Sequence, residues 1–100
     1  MRLIAGKVLR EFGEKHPNAR ASLGSWRTVI EAGTFATAQD VLRAFSKAKQ
    51  INGVRVRFEI AGGDYRMIAA FNWRRQIAFV KFLGTHAEYD DVDAATVAQF

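Results

Sequence analysis

Apolar and polar residues alternate with period two where Val54, Val56, Phe58 and Ile60 are separated by Arg55, Arg57 and Glu59. That period marks a strand with one apolar face. Ala61-Gly62-Gly63-Asp64 then predicts a tight turn, because glycine reaches positive φ without steric cost. A second strand is expected over Tyr65 to Phe71, and a second turn at Asn72-Trp73-Arg74-Arg75. A third strand follows over Gln76 to Leu83. It is apolar on both faces apart from Lys81, the pattern of a central strand. Periodicity stops at Gly84-Thr85-His86-Ala87-Glu88-Tyr89-Asp90, a polar segment where titratable groups gather.

Upstream the pattern differs. Met1 to Ile4 is short and apolar and fits an edge strand. Ala5, Val8, Leu9 and Phe12 fall at i, i+3, i+4 and i+7, one stripe of a helix. His16-Pro17-Asn18 ends that helix, since the residue before proline avoids the α region. Asn18 stands where a cap for the next helix is wanted. Ala19, Leu23, Trp26 and Ile30 form the next stripe, and Gly33 suits its C-terminal end. Thr37-Ala38-Gln39-Asp40 resembles a capping box, with Asp for the usual Glu, and opens a short helix through Phe45. Ser46 to Gly53 reads as a polar, basic loop. Asp91 or Asp93 can cap a last turn into Ala94-Ala95-Thr96-Val97. The expectation is one α+β domain over residues 1–100. Three C-terminal strands and an N-terminal edge strand make a small antiparallel-rich sheet, and an N-terminal helical hairpin packs on one face. The other face is left to solvent or a ligand.

Composition narrows the class. At 49% hydrophobic residues, one hundred residues can bury a core. No apolar run reaches the roughly 18 residues of a membrane span. The N-terminus lacks the apolar run of a signal peptide, which points to the cytoplasm. With no cysteine there is no disulfide framework and no thiolate metal site. The net charge of +5 favours a polyanionic partner: nucleic acid, ribosome, anionic membrane or acidic protein. Arg55, Arg57, Arg66, Arg74, Arg75 and Lys81 lie in the strand region, whereas Glu88, Asp90, Asp91 and Asp93 crowd its end.

If Val56, Phe58 and Ile60 meet the helices, Arg55, Arg57 and Glu59 face away. Arg66 joins them if Ile68 and Ala70 share that side, and Lys81 joins if Ile77 and Phe79 do. Cations fixed on a rigid sheet make a bed for phosphates. The plain alternative is an outer face solvated by arginine. His86 follows Gly84-Thr85 at a strand end, and an imidazole exchanges protons near neutrality. Tyr89 adds a phenol that can stack on a base or exchange a proton. The structural alternative has His86 satisfying a carbonyl and Tyr89 packing on a terminal helix. His86, Glu88 and Asp90 are possible metal donors, yet no HExxH, His pair or Cys cluster accompanies them. No nucleophile-elbow motif is present. Gly62-Gly63 is a hairpin turn rather than a phosphate loop. Neither metal nor cofactor is expected, and His16 reads as structural.

Arg57-Phe58-Glu59-Ile60, Asp64-Tyr65-Arg66-Met67-Ile68-Ala69-Ala70, Asn72-Trp73-Arg74-Arg75-Gln76-Ile77 and the run from Phe79 to Asp90 resemble the HigB-type branch of the RelE-like bacterial toxins. The Gly84 to Asp90 segment after a lysine-bearing strand is the most specific part, and the helical hairpin with Trp26 suits the same branch. The resemblance implies a toxin of a type II toxin–antitoxin module that cleaves mRNA, typically on the ribosome. It implies a neutralising helix-turn-helix antitoxin, HigA-like, and a toxin–antitoxin hetero-oligomer. It also implies a sheet-face active site with basic side chains and a C-terminal Tyr or His. Those catalytic roles fall to Arg66, Lys81, His86 and Tyr89, with RNA contacts from Arg55, Arg57, Arg74 and Arg75. This branch shares no invariant catalytic set with its relatives, so acid and base are not assigned individually. The expected chemistry is metal-independent cleavage through the ribose 2′-OH. The rival is a non-catalytic basic module that arrests translation by occupying RNA or ribosome.

Overall fold

The computed structural model describes residues 1–4 and 6–100. Ala5, part of the first expected helical stripe, lies outside the described residues. In chain order the elements are β1 (Arg2–Ile4), α1 (Gly6–Lys15), a 3-10 turn (Pro17–Ala19), α2 (Arg20–Ala32), α3 (Ala38–Ala44), β2 (Lys49–Gln50), β3 (Arg55–Ile60), a second 3-10 turn (Ala61–Gly63), β4 (Tyr65–Asn72), β5 (Ile77–Thr85) and α4 (His86–Asp90). The strands form one sheet in the order β1-β5-β4-β3-β2. β1 runs parallel to β5, and the other neighbours are antiparallel. This is the expected α+β architecture, with the N-terminal strand at one edge.

Helices α1 to α3 cover one face. Leu9, Ala19, Leu23, Trp26, Ile30 and Val41 meet Val56, Phe58, Ile60, Met67, Ala69 and Val80 in the core. Phe58 is gripped edge-on by Trp26 at 5.4 Å and Phe45 at 5.0 Å. Helices as short as these are marginal alone. Burying Leu23, Trp26 and Ile30, at about 1.5–3 kcal/mol each, makes docking on the sheet decide their stability.

Several local expectations need correction. Within the expected loop from Ser46 to Gly53, Lys49 and Gln50 pair with Arg57 and Val56 as a short fifth strand. Val54 lies before β3 and is 47% exposed, because Asn52 Oδ1 folds the chain by accepting the N–H groups of Val54 and Arg55. Asn18 does not cap α2. The 3-10 turn runs directly into that helix, and Asn18 Oδ1 instead accepts the Tyr65 hydroxyl at 2.7 Å. Gly33 ends α2 in extended backbone, φ −90°, not in the left-handed region. A side chain there would collide with the Phe35 ring, so close approach is what requires glycine. Thr37 caps α3 weakly, at 3.4 Å from the Asp40 N–H, while Asp40 Oδ2 takes the N–H of Ala36 rather than closing the box on Thr37. Strand β5 continues two residues beyond Leu83 to Thr85, and the polar segment after it is helical. Asp93 does cap the final turn, accepting the Ala95 N–H at 3.0 Å.

Candidate active site

Cross-strand register determines which side chains share the face away from the helices. Arg55, Arg57 and Glu59 stand opposite Ala70, Ile68 and Arg66. Those three stand opposite Phe79, Phe82 and Gly84 of β5. Arg66 therefore joins the β3 arginines. Lys81 reaches the same face by alternation with Ile77 and Phe79, as expected, at the end of the regular run. Ile68 pairs with Phe82 while Ala69 pairs with Val80, so Lys81 is the extra residue of a β-bulge. Its Nζ lies 5.6 Å from the centroid of the Phe79 ring, on the outer side.

Arg66 is largely buried in this face. Its side chain is 12% exposed, and Nη2 stands 3.5 Å from Glu59 Oε1. Its guanidinium carbon lies 5.7 Å from the centroid of the Tyr89 ring. Tyr89 is half-buried and meets Phe82 edge-on at 6.1 Å. The Nε atoms of Arg57 and Arg66 are buried without a hydrogen-bond partner inside the fold. A buried donor left so costs about 1–3 kcal/mol.

Helix α4 delivers the titratable groups. Thr85 caps it: its Oγ1 accepts the Glu88 N–H at 3.1 Å, and Glu88 Oε1 accepts the Thr85 N–H at 2.8 Å. That N–H, then the Thr85 hydroxyl, holds the Glu88 carboxyl below its usual range. The His86 N–H donates to Asp64 O at 3.1 Å and ties α4 to the β3–β4 turn. Gly84, opposite Arg66, lets the helix fold back: a Cβ there would come within 2.8 Å of the Phe82 ring and 3.1 Å of Glu88. Asp90 Oδ2 lies 3.3 Å from His86 Nδ1, both side chains more than half exposed. The contact sets a carboxylate beside the imidazole. His86 and Tyr89, three apart, are neighbours on the helix surface.

The sheet thus gathers Arg57, Arg66, Lys81 and Tyr89 on one face, with His86 at its end. Two groups of the expected RNA contacts stand apart from this cluster. Arg74 and Arg75 sit in the β4–β5 turn, the length of β5 away, roughly 25 Å at about 3.3 Å per residue. Arg55 shares the face, but its Nη1 donates to Ala94 O and Val97 O at 3.1 and 2.8 Å, holding the C-terminal segment. That segment crosses the outer face, where Ile68 and Phe82 are buried, so this side is not simply open to solvent.

Sequence reasoning overlooked three participants. Glu59 was legible, since alternation places it beside Arg66. Asp90 was legible as i+4 to His86 but was weighed as a metal donor. Lys49, opposite Arg57, was not, because a two-residue strand carries no periodicity. The larger hollows, about 330 and 320 Å³, lie between α2, α3 and β3 and between α1 and α2. The first is walled by Trp26, Phe45 and Phe58, and the second is edged by Arg10, Glu14, Arg20 and Arg27.

Residues 19–92 match a family described as "HigB_toxin, RelE-like toxic component of a toxin-antitoxin system". The chain is 30% identical over 95 residues to the "mRNA interferase HigB" of Escherichia coli O6:H1, covering 90% of this chain and 89% of that protein. It is 25% identical over 92 residues to the "mRNA interferase toxin HigB" of Escherichia coli K12 and the "mRNA interferase HigB" of Shigella flexneri, covering 90% of this chain and 88% of each.

Proposed function

The chain belongs to the HigB family of RelE-like toxins, the toxic component of a toxin–antitoxin system, and on that premise we propose that it is an endoribonuclease cutting mRNA on its outer sheet face. Ribosome-engaged mRNA in the cytoplasm is the proposed substrate, and a helix-turn-helix antitoxin is the proposed partner. The observation that carries the reading is the Arg66 guanidinium over the Tyr89 phenol, on the face that also carries Arg57 and Lys81.

The proposed path uses side-chain groups alone. Tyr89 or His86 takes the proton of a ribose 2′-OH. The freed oxygen attacks the adjacent phosphorus, and the bond to the leaving 5′-oxygen breaks. Arg66, Lys81 and Arg57 bind the phosphate and offset the charge that builds on it. An acid, His86 in the arrangement with Tyr89 as base, protonates the 5′-oxygen. The products are a cyclic phosphate and a free 5′-hydroxyl. Asp90 keeps the imidazole oriented, and Glu59 keeps Arg66 in place.

DNA lacks the attacking oxygen. The test is cleavage by purified protein on programmed ribosomes, with ribose or 2′-deoxyribose at the scissile position. Only the ribose message should be cut. Equal cutting of both would eliminate the mechanism. Arrest of translation without any cut end would favour occupancy instead.

A further inference from the structure

The outer face carries a small core of its own. Ile68 and Phe82 are 0% and 4% exposed, yet neither belongs to the core that packs against α1 to α3. Register sets both in one row with Arg57, on the side away from those helices. What reaches them there is α4 and the segment after it. Tyr89 meets the Phe82 ring edge-on, and Arg55 fastens the segment to the sheet. Along that segment Val92, Ala94 and Val97 are half-buried, whereas Asp93, Ala95, Thr96 and Ala98 are exposed. One apolar side is thus turned to the sheet.

The segment is also tied, bond by bond, to the helix it follows. The Val92 N–H donates to Tyr89 O at 3.3 Å. Asp93 accepts the Ala95 N–H on Oδ1 at 3.0 Å, and its carbonyl accepts the N–H groups of Thr96 and Val97 at 3.2 and 2.9 Å. Ala94 O and Val97 O then take Arg55 Nη1, and Gln99 bonds Lys81 O and the Leu83 N–H at the edge of β5. Tyr89 is therefore one end of a braced stretch whose other end is held by Arg55 and Gln99. Its ring meets Phe82 and the Arg66 guanidinium. Helix α4 has five residues, too few to be stable without such bracing.

Taking the nuclease reading of this face as given, we propose that Arg55 and Gln99 are positioning residues for Tyr89. By holding the C-terminal segment over Phe82 they keep the phenol beneath Arg66. Arg55 then has a different task from the RNA contact that the family resemblance implies, because its Nη1 already serves two carbonyls of its own chain. Gln99 acts from the sheet edge and offers nothing to RNA on the charged face. Displacing a reacting group by about 1 Å costs on the order of a hundredfold in rate, so a brace of this kind reads out in the chemical step and not in binding.

The test compares wild type with Arg55→Ala, Gln99→Pro and the double variant in single-turnover cleavage on programmed ribosomes. Proline at 99 removes both the N–H that meets Lys81 O and the Oε1 that accepts the Leu83 N–H. At saturation the double variant should cut roughly tenfold or more slowly, with the half-saturating concentration within about twofold of wild type, and each single variant should move the same way. The ring-proton NMR signals of Tyr89 and Phe82 should shift together in the double variant, while those of Trp26 and Phe58, paired on the helix side, stay in place. Weaker binding at an unchanged saturated rate in Arg55→Ala, with Gln99→Pro like wild type, overturns the proposal and makes Arg55 an RNA contact. A double variant that cuts like wild type overturns it too, as does a loss of the Trp26 and Phe58 signals. The nuclease reading fails by a different result: wild type that leaves the message intact while the Tyr89 and Phe82 signals still shift. Unmoved Tyr89 signals sink the brace whether or not wild type cuts.

Discussion

Replacing Arg55 by alanine tests how the C-terminal segment is held on the outer face. Arg55 Nη1 donates to Ala94 O and Val97 O at 3.1 and 2.8 Å. Further on, the Gln99 N–H meets Lys81 O at 2.9 Å, and Gln99 Oε1 accepts the Leu83 N–H at 2.9 Å. Gln99 thus completes the edge of β5 beyond its pairing with β1, next to the bulge that carries Lys81. Hydrogen bonds from charged donors contribute about 1.5–3 kcal/mol each. One nitrogen serves both carbonyls and the site is only partly buried, so we take about 2 kcal/mol for the pair. That raises the open population of the segment about thirtyfold. Amide hydrogen exchange reads it directly. Protection of Leu83 and Gln99 should fall by about that factor, with Val56 and Met67 unchanged. Unchanged protection at Leu83 and Gln99 would refute the strap. A uniform loss across the sheet would also refute it, because Arg55 would then support the whole fold.

Tyr89→Phe keeps the ring on Phe82 and beneath Arg66 but removes the hydroxyl. Cleavage should drop by roughly a hundredfold or more if the phenol exchanges the proton, while unfolding free energy stays within about 0.5 kcal/mol; retained cleavage would pass the role of base to His86. Asn18→Ala leaves the buried Tyr65 hydroxyl without its 2.7 Å partner; urea unfolding should show a loss of about 1–2 kcal/mol, and no change would mean water substitutes fully. Acid should loosen the α4 cap. The Glu88 carboxyl is held below its unfolded value of 4.5, chiefly by the Thr85 N–H. Its stabilisation is complete above that value and is lost as pH falls through the lower folded value. Wild type should therefore lose more stability than Glu88→Gln below pH 4.5; identical acid profiles in thermal unfolding would discount the capping box.

Periodicity determined α1, α2, the three long strands and the side of β3 on which Arg55, Arg57 and Glu59 stand. It did so because burial on one face repeats every 2 or 3.6 residues, a record each segment carries by itself. The family was legible for a similar reason, since its most specific residues run consecutively from Phe79 to Asp90. Tertiary structure decided the remainder. Lys49 and Gln50 are a strand only because β3 offers an edge. Asn18 is a partner for Tyr65 rather than a cap. Phe82 shares the outer face with Lys81 through a bulge that no alternation predicts. Arg74 and Arg75, adjacent to the strands in sequence, stand the length of β5 from Tyr89, while Arg55 holds a segment some forty positions later. Each of these depends on which distant group the fold brings within reach, and a local pattern contains no information about that.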